Sequence, residues 1–322
     1  MRDRDISIDW LKVMAVLFVF NSHLEQLYGS MGFLATGGMI GVGLFFFCSG
    51  FTLLLKPMEG VKQFPLWYKR RIIRIYPTVF AFAIIDSVFF HNIHSIDTII
   101  LTGCGWFVQC IMVYYVIIFF IGSYLKNRLK WVAILWPVLV AVCFLHVYRQ
   151  PGFFMFTDPF QRIPFFLFML MGAMTGLSAK TIKIRPIIDA LLLILCFVAY
   201  YLILYFCTRE DRPTVLQFFC YFPALGTIYY FYKVFRAEWA ARIYSHPAAQ
   251  AIIRFVGGLC LEIYLVQFNV LTTEFNHLFP LNILIVFAAA LVLAYLTRCL
   301  ARLILQTFSD HPYDWAKMVS LY

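Results

Sequence analysis

Apolar runs recur from one end of this chain to the other, and only a few polar residues separate each from the next. Of 322 residues, 63% are hydrophobic and 13% charged, and the mean hydropathy is +0.83. A soluble domain cannot hide that much apolar surface. A helix needs roughly 20 mostly apolar residues to cross a hydrocarbon layer about 30 Å thick. The runs therefore predict an all-α integral membrane protein, a bundle of about ten transmembrane helices. The spans fall near residues 7–28, 38–55, 72–90, 104–125, 131–148, 163–179, 187–207, 215–235, 251–271 and 282–305. No gap between them holds a separate soluble domain, so residues 1–322 read as one membrane domain, with no internal repeat.

The net charge of +10 raises the question of nucleic acid, but basic membrane proteins carry their excess Lys and Arg in cytoplasmic loops. With both termini cytoplasmic, all of the 26 Lys and Arg except Arg149, Arg162, Arg209 and Arg212 fall on the inner side. The opposite orientation reverses this asymmetry. Nucleic acid is accordingly not an expected partner; the bilayer is. The nine cysteines are scattered through apolar runs without a CxxC pair or a histidine at ligand spacing, which argues for small apolar fillers and no metal. MRDRDISIDW lacks a small-residue cleavage site, so the first apolar segment is expected to stay in the mature protein. The tail QTFSDHPYDWAKMVSLY mixes polar and aromatic residues and is expected along the cytoplasmic interface.

Against this background Lys12 and His23 stand out, both in LKVMAVLFVFNSHLEQL. Eleven helical steps separate them, roughly 20° past three full turns and about 16 Å of rise. On one continuous helix they share a face and form a polar stripe. Ionisable groups at such depth face a bundle interior or a water-filled path. Two structural explanations compete: Lys12 snorkels to the interface or pairs with Asp9, and His23 is a hydrogen-bonded core residue or the wet end of the span.

A second cluster is WYKRRIIRIYP, residues 67–77. Arg71 and Arg74 lie three apart on one helical face, flanked by Arg70 and Lys69, at the expected start of the third span. Guanidinium forks together with a helix N-terminus suit phosphate; topology anchoring or lipid headgroups also explain a basic loop. Asp86 and Glu262 are embedded carboxyls that need a partner or a proton. GVGLFFFCSGF, residues 41–51, has small residues suited to close helix packing, and Ser49 has no adjacent base.

These pieces resemble the acyltransferase family 3 of multi-pass membrane acyltransferases. The family's basic residue, ten intervening positions and histidine match Lys12 and His23; its FF-x-x-SGF segment matches Phe45 to Phe51. Its R-x-x-R before Tyr-Pro matches Arg71, Arg74, Tyr76 and Pro77. Trp106 in GWFVQCIMVYY is similar to the W-F of the fourth span, and LEIYLVQ to the late S-x-x-I-Y-L-x-H. The chain departs from the pattern at Gly43, often Asp in the family, and at Gln267, often His. No extracytoplasmic hydrolase-like domain of the longer members is expected.

The resemblance implies O-acyl transfer, commonly O-acetylation, from cytoplasmic acyl-CoA to a hydroxyl of a cell-surface or lipid-linked polysaccharide or sugar. It also implies the cytoplasmic (inner) membrane of a bacterium. No permanently bound cofactor is expected; acyl-CoA is a co-substrate, the glycan or sugar lipid is the acceptor, and a homo-oligomer stays open. His23 is expected as general base, with acyl carrier as its alternative, Lys12 as a group that orients the donor or balances a departing thiolate, and Arg71, Arg74 and Arg70 as the donor phosphate site. Trp106, Glu262 and Tyr76 are supporting residues. The loops HNIHSIDT, RQPGFFMFTDPFQR and TTEFNHLFPLN are candidates for acceptor recognition. A transporter or flippase of a lipid-linked saccharide, or a catalytically silent scaffold, are the competing classes.

Overall fold

The computed structural model describes residues 5–58, 60–147, 159–207, 214–309 and 312–321. Among them every regular element is helical. In chain order the α-helices are α1 (Ser7–Asn21), α2 (Glu25–Tyr28), α3 (Gly38–Leu53), α4 (Phe64–Phe89), α5 (Trp106–Tyr124), α6 (Leu129–Val147) and α7 (Phe166–Ser178). They continue with α8 (Pro186–Cys207), α9 (Tyr221–Val234), α10 (Glu238–Tyr244), α11 (Pro247–Gly258), α12 (Cys260–Val266), α13 (Leu281–Thr307) and α14 (Trp315–Val319).

Six helical segments among the described residues are long and apolar enough to cross a membrane, and up to eight if each of two bent pairs is one span. The bent pairs are Glu25–Leu34 with Gly38–Leu53, at 98°, and Pro247–Gly258 with Cys260–Val270, at 54°. The difference from ten lies in the first and eighth expected spans. α1 has 15 residues, which at about 1.5 Å per residue gives roughly 22 Å, short of the hydrocarbon thickness; α9 has 14 and is extended only by the 3₁₀ helix Thr214–Cys220 that precedes it.

The chain divides into two compact units whose boundaries fall inside helices. One comprises residues 1–11, 42–61 and 118–250. In it α3 and α7 approach to backbone contact: a Cβ on Gly50 would lie 2.0 Å from the Met169 carbonyl oxygen, and one on Gly172 2.1 Å from that of Phe47. Small residues in GVGLFFFCSGF thus serve packing, as the sequence suggests. Asp189, 1% exposed, pairs with Lys233 at 2.5 Å, joining α8 to α9. Asp9 accepts a hydrogen bond from Tyr244 at 2.8 Å.

The other unit comprises residues 12–41, 62–117 and 251–322, and every candidate site residue belongs to it. α13 packs against α4 and α12 through a buried stripe of Val286, Ala290, Ala294, Thr297 and Ala301, spaced three and four residues apart as one helical face requires. The tail folds back on α13: Tyr295 donates to the Val319 carbonyl at 2.6 Å, and Arg302 donates to those of Met318 and Ser320.

Candidate active site

α1 ends at Asn21, two residues before His23, so the expected continuous stripe is broken. Asn21 itself explains the stop. Its Nδ2 donates to the carbonyls of Leu34 at 2.7 Å and Thr36 at 3.0 Å, and its Oδ1 accepts from Tyr28 at 2.5 Å. A side chain spent on the returning backbone competes with helix continuation. His23 therefore sits in a turn, with its backbone N–H on the Phe20 carbonyl.

Its ring packs edge-on against Phe268, centroids 4.7 Å apart, and neither ring nitrogen has a hydrogen-bond partner among the described residues. Although the residue is exposed overall, the protein around the ring withholds water and holds the imidazole below its ordinary 6.5. Desolvation favours the neutral form, which has a lone pair free to accept a proton.

Lys12 is half-buried and makes no ion pair among the described residues. Its carbonyl lies 3.9 Å from Cys260 Sγ, a thiol that donates to the Gly257 carbonyl at 2.9 Å. Lys12 and His23 thus both abut one stretch, Cys260 to Phe268, in α12 and the 3₁₀ turn Gln267–Val270 that continues it.

That stretch holds the remaining polar groups. Glu262, 6% exposed, is paired, as an embedded carboxyl requires: Arg298 of α13 reaches it with Nε at 3.2 Å and with a second nitrogen at 3.3 Å. The same guanidinium donates to the Gly258 carbonyl at the break between α11 and α12. Tyr264 accepts from the backbone N–H of Phe107 at 3.3 Å, which ties α12 to the start of α5, where Trp106 is half-buried. Gln267 is 1% exposed, and both polar atoms of its carboxamide lack a partner among the described residues.

Asp86 is 3% exposed and accepts from three side chains: Asn92 at 3.0 Å, His94 at 2.6 Å and Asn269 at 2.5 Å. His94 also meets the Phe82 ring, centroids 5.8 Å apart, and Tyr76 donates to the Ile100 carbonyl at 2.5 Å. From Asp86 to Tyr76 is ten residues, about 15 Å of helix. The segment after α4 therefore does not stay at the helix end; it runs back along α4, with Asn92 and His94 of HNIHSIDT bonded to Asp86 while Ile93 and Ile96 stay exposed. Burial, then the Asp86 charge, pushes the Cys104 thiol up to about 11, so this cysteine is not a thiolate nucleophile at neutral pH.

The arginine cluster is only partly assembled. Arg71 lies over the Trp67 ring at 4.7 Å and near the Tyr115 ring at 5.7 Å, and its Nε is buried without a partner. Arg70 and Arg74 are exposed. α4 begins at Phe64, with proline in its first turn, so the unpaired N–H groups of its N-terminus lie about two turns from Arg71. The expected contribution of that helix end does not apply. Tyr76, spent on Ile100, also leaves the arginines. Of the expected acceptor loops, residues 149–158 of RQPGFFMFTDPFQR lie outside the described residues, while Asn276 and Asn282 of TTEFNHLFPLN donate to the carbonyls of Gln26 and Leu27.

Glu262 lies on α12, which Lys12 meets through its carbonyl, His23 through Phe268 of the following turn, and α5, next to Trp106, through Tyr264. The profile of the acyltransferase 3 family, described as an acyltransferase domain, matches residues 5–299. The chain belongs to the acyltransferase 3 family. No curated protein and no solved structure matches it. For this membrane acyltransferase, sequence reasoning missed Arg298, Asn269, His94 and Tyr264 as partners. Each lies far along the chain from the group it serves or in a loop that folds back, and no local spacing marks such contacts.

Proposed function

We propose that this acyltransferase moves an acyl group, acetyl in the first instance, from cytoplasmic acyl-CoA to a hydroxyl of a cell-surface or lipid-linked saccharide. It would work in the inner membrane of a bacterium with both termini in the cytoplasm, the orientation favoured by the Lys and Arg asymmetry. The observation that carries the reading is the His23 imidazole against Phe268, with neither ring nitrogen hydrogen-bonded among the described residues, in a chain of this family.

In this reading the neutral His23 takes the proton of the acceptor hydroxyl, whose oxygen attacks the thioester carbonyl carbon. The C–S bond breaks, its electron pair leaves on the CoA sulfur, and the proton passes from His23 to that thiolate. Lys12, in the first half of α1, orients the donor on its path toward His23. Arg71, held in place by Trp67 and Tyr115, binds a CoA phosphate with its free Nε edge, and the exposed Arg70 and Arg74 add cationic field. Glu262 and Arg298 neutralise each other and keep α12 in position.

Acetyl-CoA binding to the purified protein, wild type against Arg71→Ala, tests this without an acceptor. Saturable binding weakened by the substitution is expected. A folded wild type that binds neither acetyl-CoA nor longer acyl-CoAs overturns the reading and favours transport of a saccharide.

A further inference from the structure

Among the described residues, the fold buries the carboxamide of Gln267, one residue before the Phe268 that meets His23, and leaves both its polar atoms without a hydrogen bond. The residue is 1% exposed, and neither Nε2 nor Oε1 has a partner among the described residues. A buried amide without partners loses its hydration and gains nothing in return, so native proteins keep such a group where something else will bind it.

The surroundings of Gln267 hold it in place. In the 3₁₀ turn Gln267–Val270 the next residue, Phe268, rests on the His23 ring at 4.7 Å. The one after, Asn269, donates to the buried Asp86 carboxylate at 2.5 Å. Asp86 is fixed in turn by Asn92 and His94. The turn is thus pinned at two of its four residues, and the orphan carboxamide sits one residue from the ring that meets the proposed base. A buried N–H donor in a pinned turn, one residue along the chain from the ring that meets the general base, is the kind of group that acyl transfer uses, because negative charge gathers on the carbonyl oxygen as the hydroxyl adds.

We infer that Gln267 is a carbonyl-binding residue of the acyl-donor site: its Nε2 donates to the thioester carbonyl oxygen of acyl-CoA and to the oxyanion that forms from it. Its Oε1 takes an N–H or O–H donor from the same substrates. This assignment rests on the acyl-CoA reading above. No bond beyond those already described forms or breaks; Gln267 keeps both its protons throughout.

The test uses Gln267→Leu, which removes the polar atoms at similar volume, and needs no acceptor. Infrared spectra of acetyl-CoA isotopically labelled at its thioester carbonyl are compared free and bound. The wild type is expected to displace the carbonyl stretch to lower frequency, and Gln267→Leu to bind the donor without that displacement. With no CoA present the variant is expected to melt at a higher temperature than wild type, since an orphan amide has been replaced by an apolar group. The same displacement in both proteins, or a variant that melts lower, overturns the assignment while leaving donor binding intact. Absence of acyl-CoA binding by wild type overturns the donor reading itself, and this assignment with it. Gln267→Met, unbranched and of matching length, carries the same comparison if the leucine variant does not accumulate.

Discussion

Asn269 donates to Asp86 at 2.5 Å across 183 positions of sequence, and this contact ties the turn beneath His23 to α4. Asp86 satisfies three side-chain donors at once, so Asp86→Ala orphans all of them. A loss on the order of 3–5 kcal/mol is expected, as for breaking a buried charged network. Asn269→Ala removes one bond to a charged group and is expected to cost about 1.5–3 kcal/mol. Thermal unfolding in detergent orders the two. Equal melting temperatures would show that Asp86 does not hold the network together. If the turn positions His23, Asn269→Ala should also slow transfer at saturating acetyl-CoA while donor affinity stays near wild type.

Glu262 and Arg298 are both largely buried, with side chains 8% and 11% exposed, so removing one partner strands the other. Glu262→Ala and Arg298→Ala are each expected to cost about 3–5 kcal/mol, and the double variant less than the two added together. Arg298→Ala should be the worse single change because its guanidinium also holds the Gly258 carbonyl. Arg298→Lys should rescue poorly, since an ammonium cannot reach carboxylate and carbonyl with a planar fork. A double-mutant cycle on unfolding free energies measures the coupling; additivity within about 0.5 kcal/mol would mean the pair is not coupled.

Glycine at position 50 is a matter of space. A Cβ there would meet the Met169 carbonyl oxygen at 2.0 Å, and backbone cannot rotate aside. Gly50→Ala is expected to cost at least the 1–3 kcal/mol typical of overpacking and to sharply lower the yield of monodisperse protein. At Gly43 the closest atom is the end of the Ile228 side chain, at 2.5 Å, which can swing away, so Gly43→Ala should fall at the low end of the same range. Size-exclusion profiles and melting temperatures distinguish them. Equal tolerance at both positions would contradict the backbone contact between α3 and α7.

The helical class and the identity of the family were legible in the chain because hydropathy and motif order are one-dimensional signals. α4, α5, α8 and α13 each cover an apolar run read directly from composition. What could not be read is where a helix yields to a tertiary contact. LKVMAVLFVFNSHLEQL looks continuous by hydropathy, yet Asn21 ends it by bonding to Leu34 and Thr36. Likewise the third span looked as if it began beside Arg71, because the polar residues ahead of it lower the local hydropathy; α4 instead starts at Phe64. Asp86 and Glu262 announced that they needed partners, but the partners lie 6 to 183 positions away. Arg71 stood out in the sequence only as one of several cations, and the aromatic cradle that distinguishes it from Arg70 and Arg74 exists only after Tyr115 of α5 is brought to Trp67.

The pH dependence of transfer tests the base role of His23. Desolvation holds its imidazole below the ordinary 6.5, and the base role requires the neutral form. Activity should therefore rise with pH through a midpoint below 6.5 and be flat through neutrality. One unit below that midpoint the rate should be about a tenth of the plateau, because only that fraction of imidazole is unprotonated. His23→Ala should lose the plateau while keeping acetyl-CoA affinity and melting temperature near wild type, since the ring makes no hydrogen bond that the fold depends on. A midpoint well above 6.5 would assign the titration to another group. Retention of the plateau by His23→Ala would remove His23 from the chemistry, and loss of folded protein would recast its contact with Phe268 as structural.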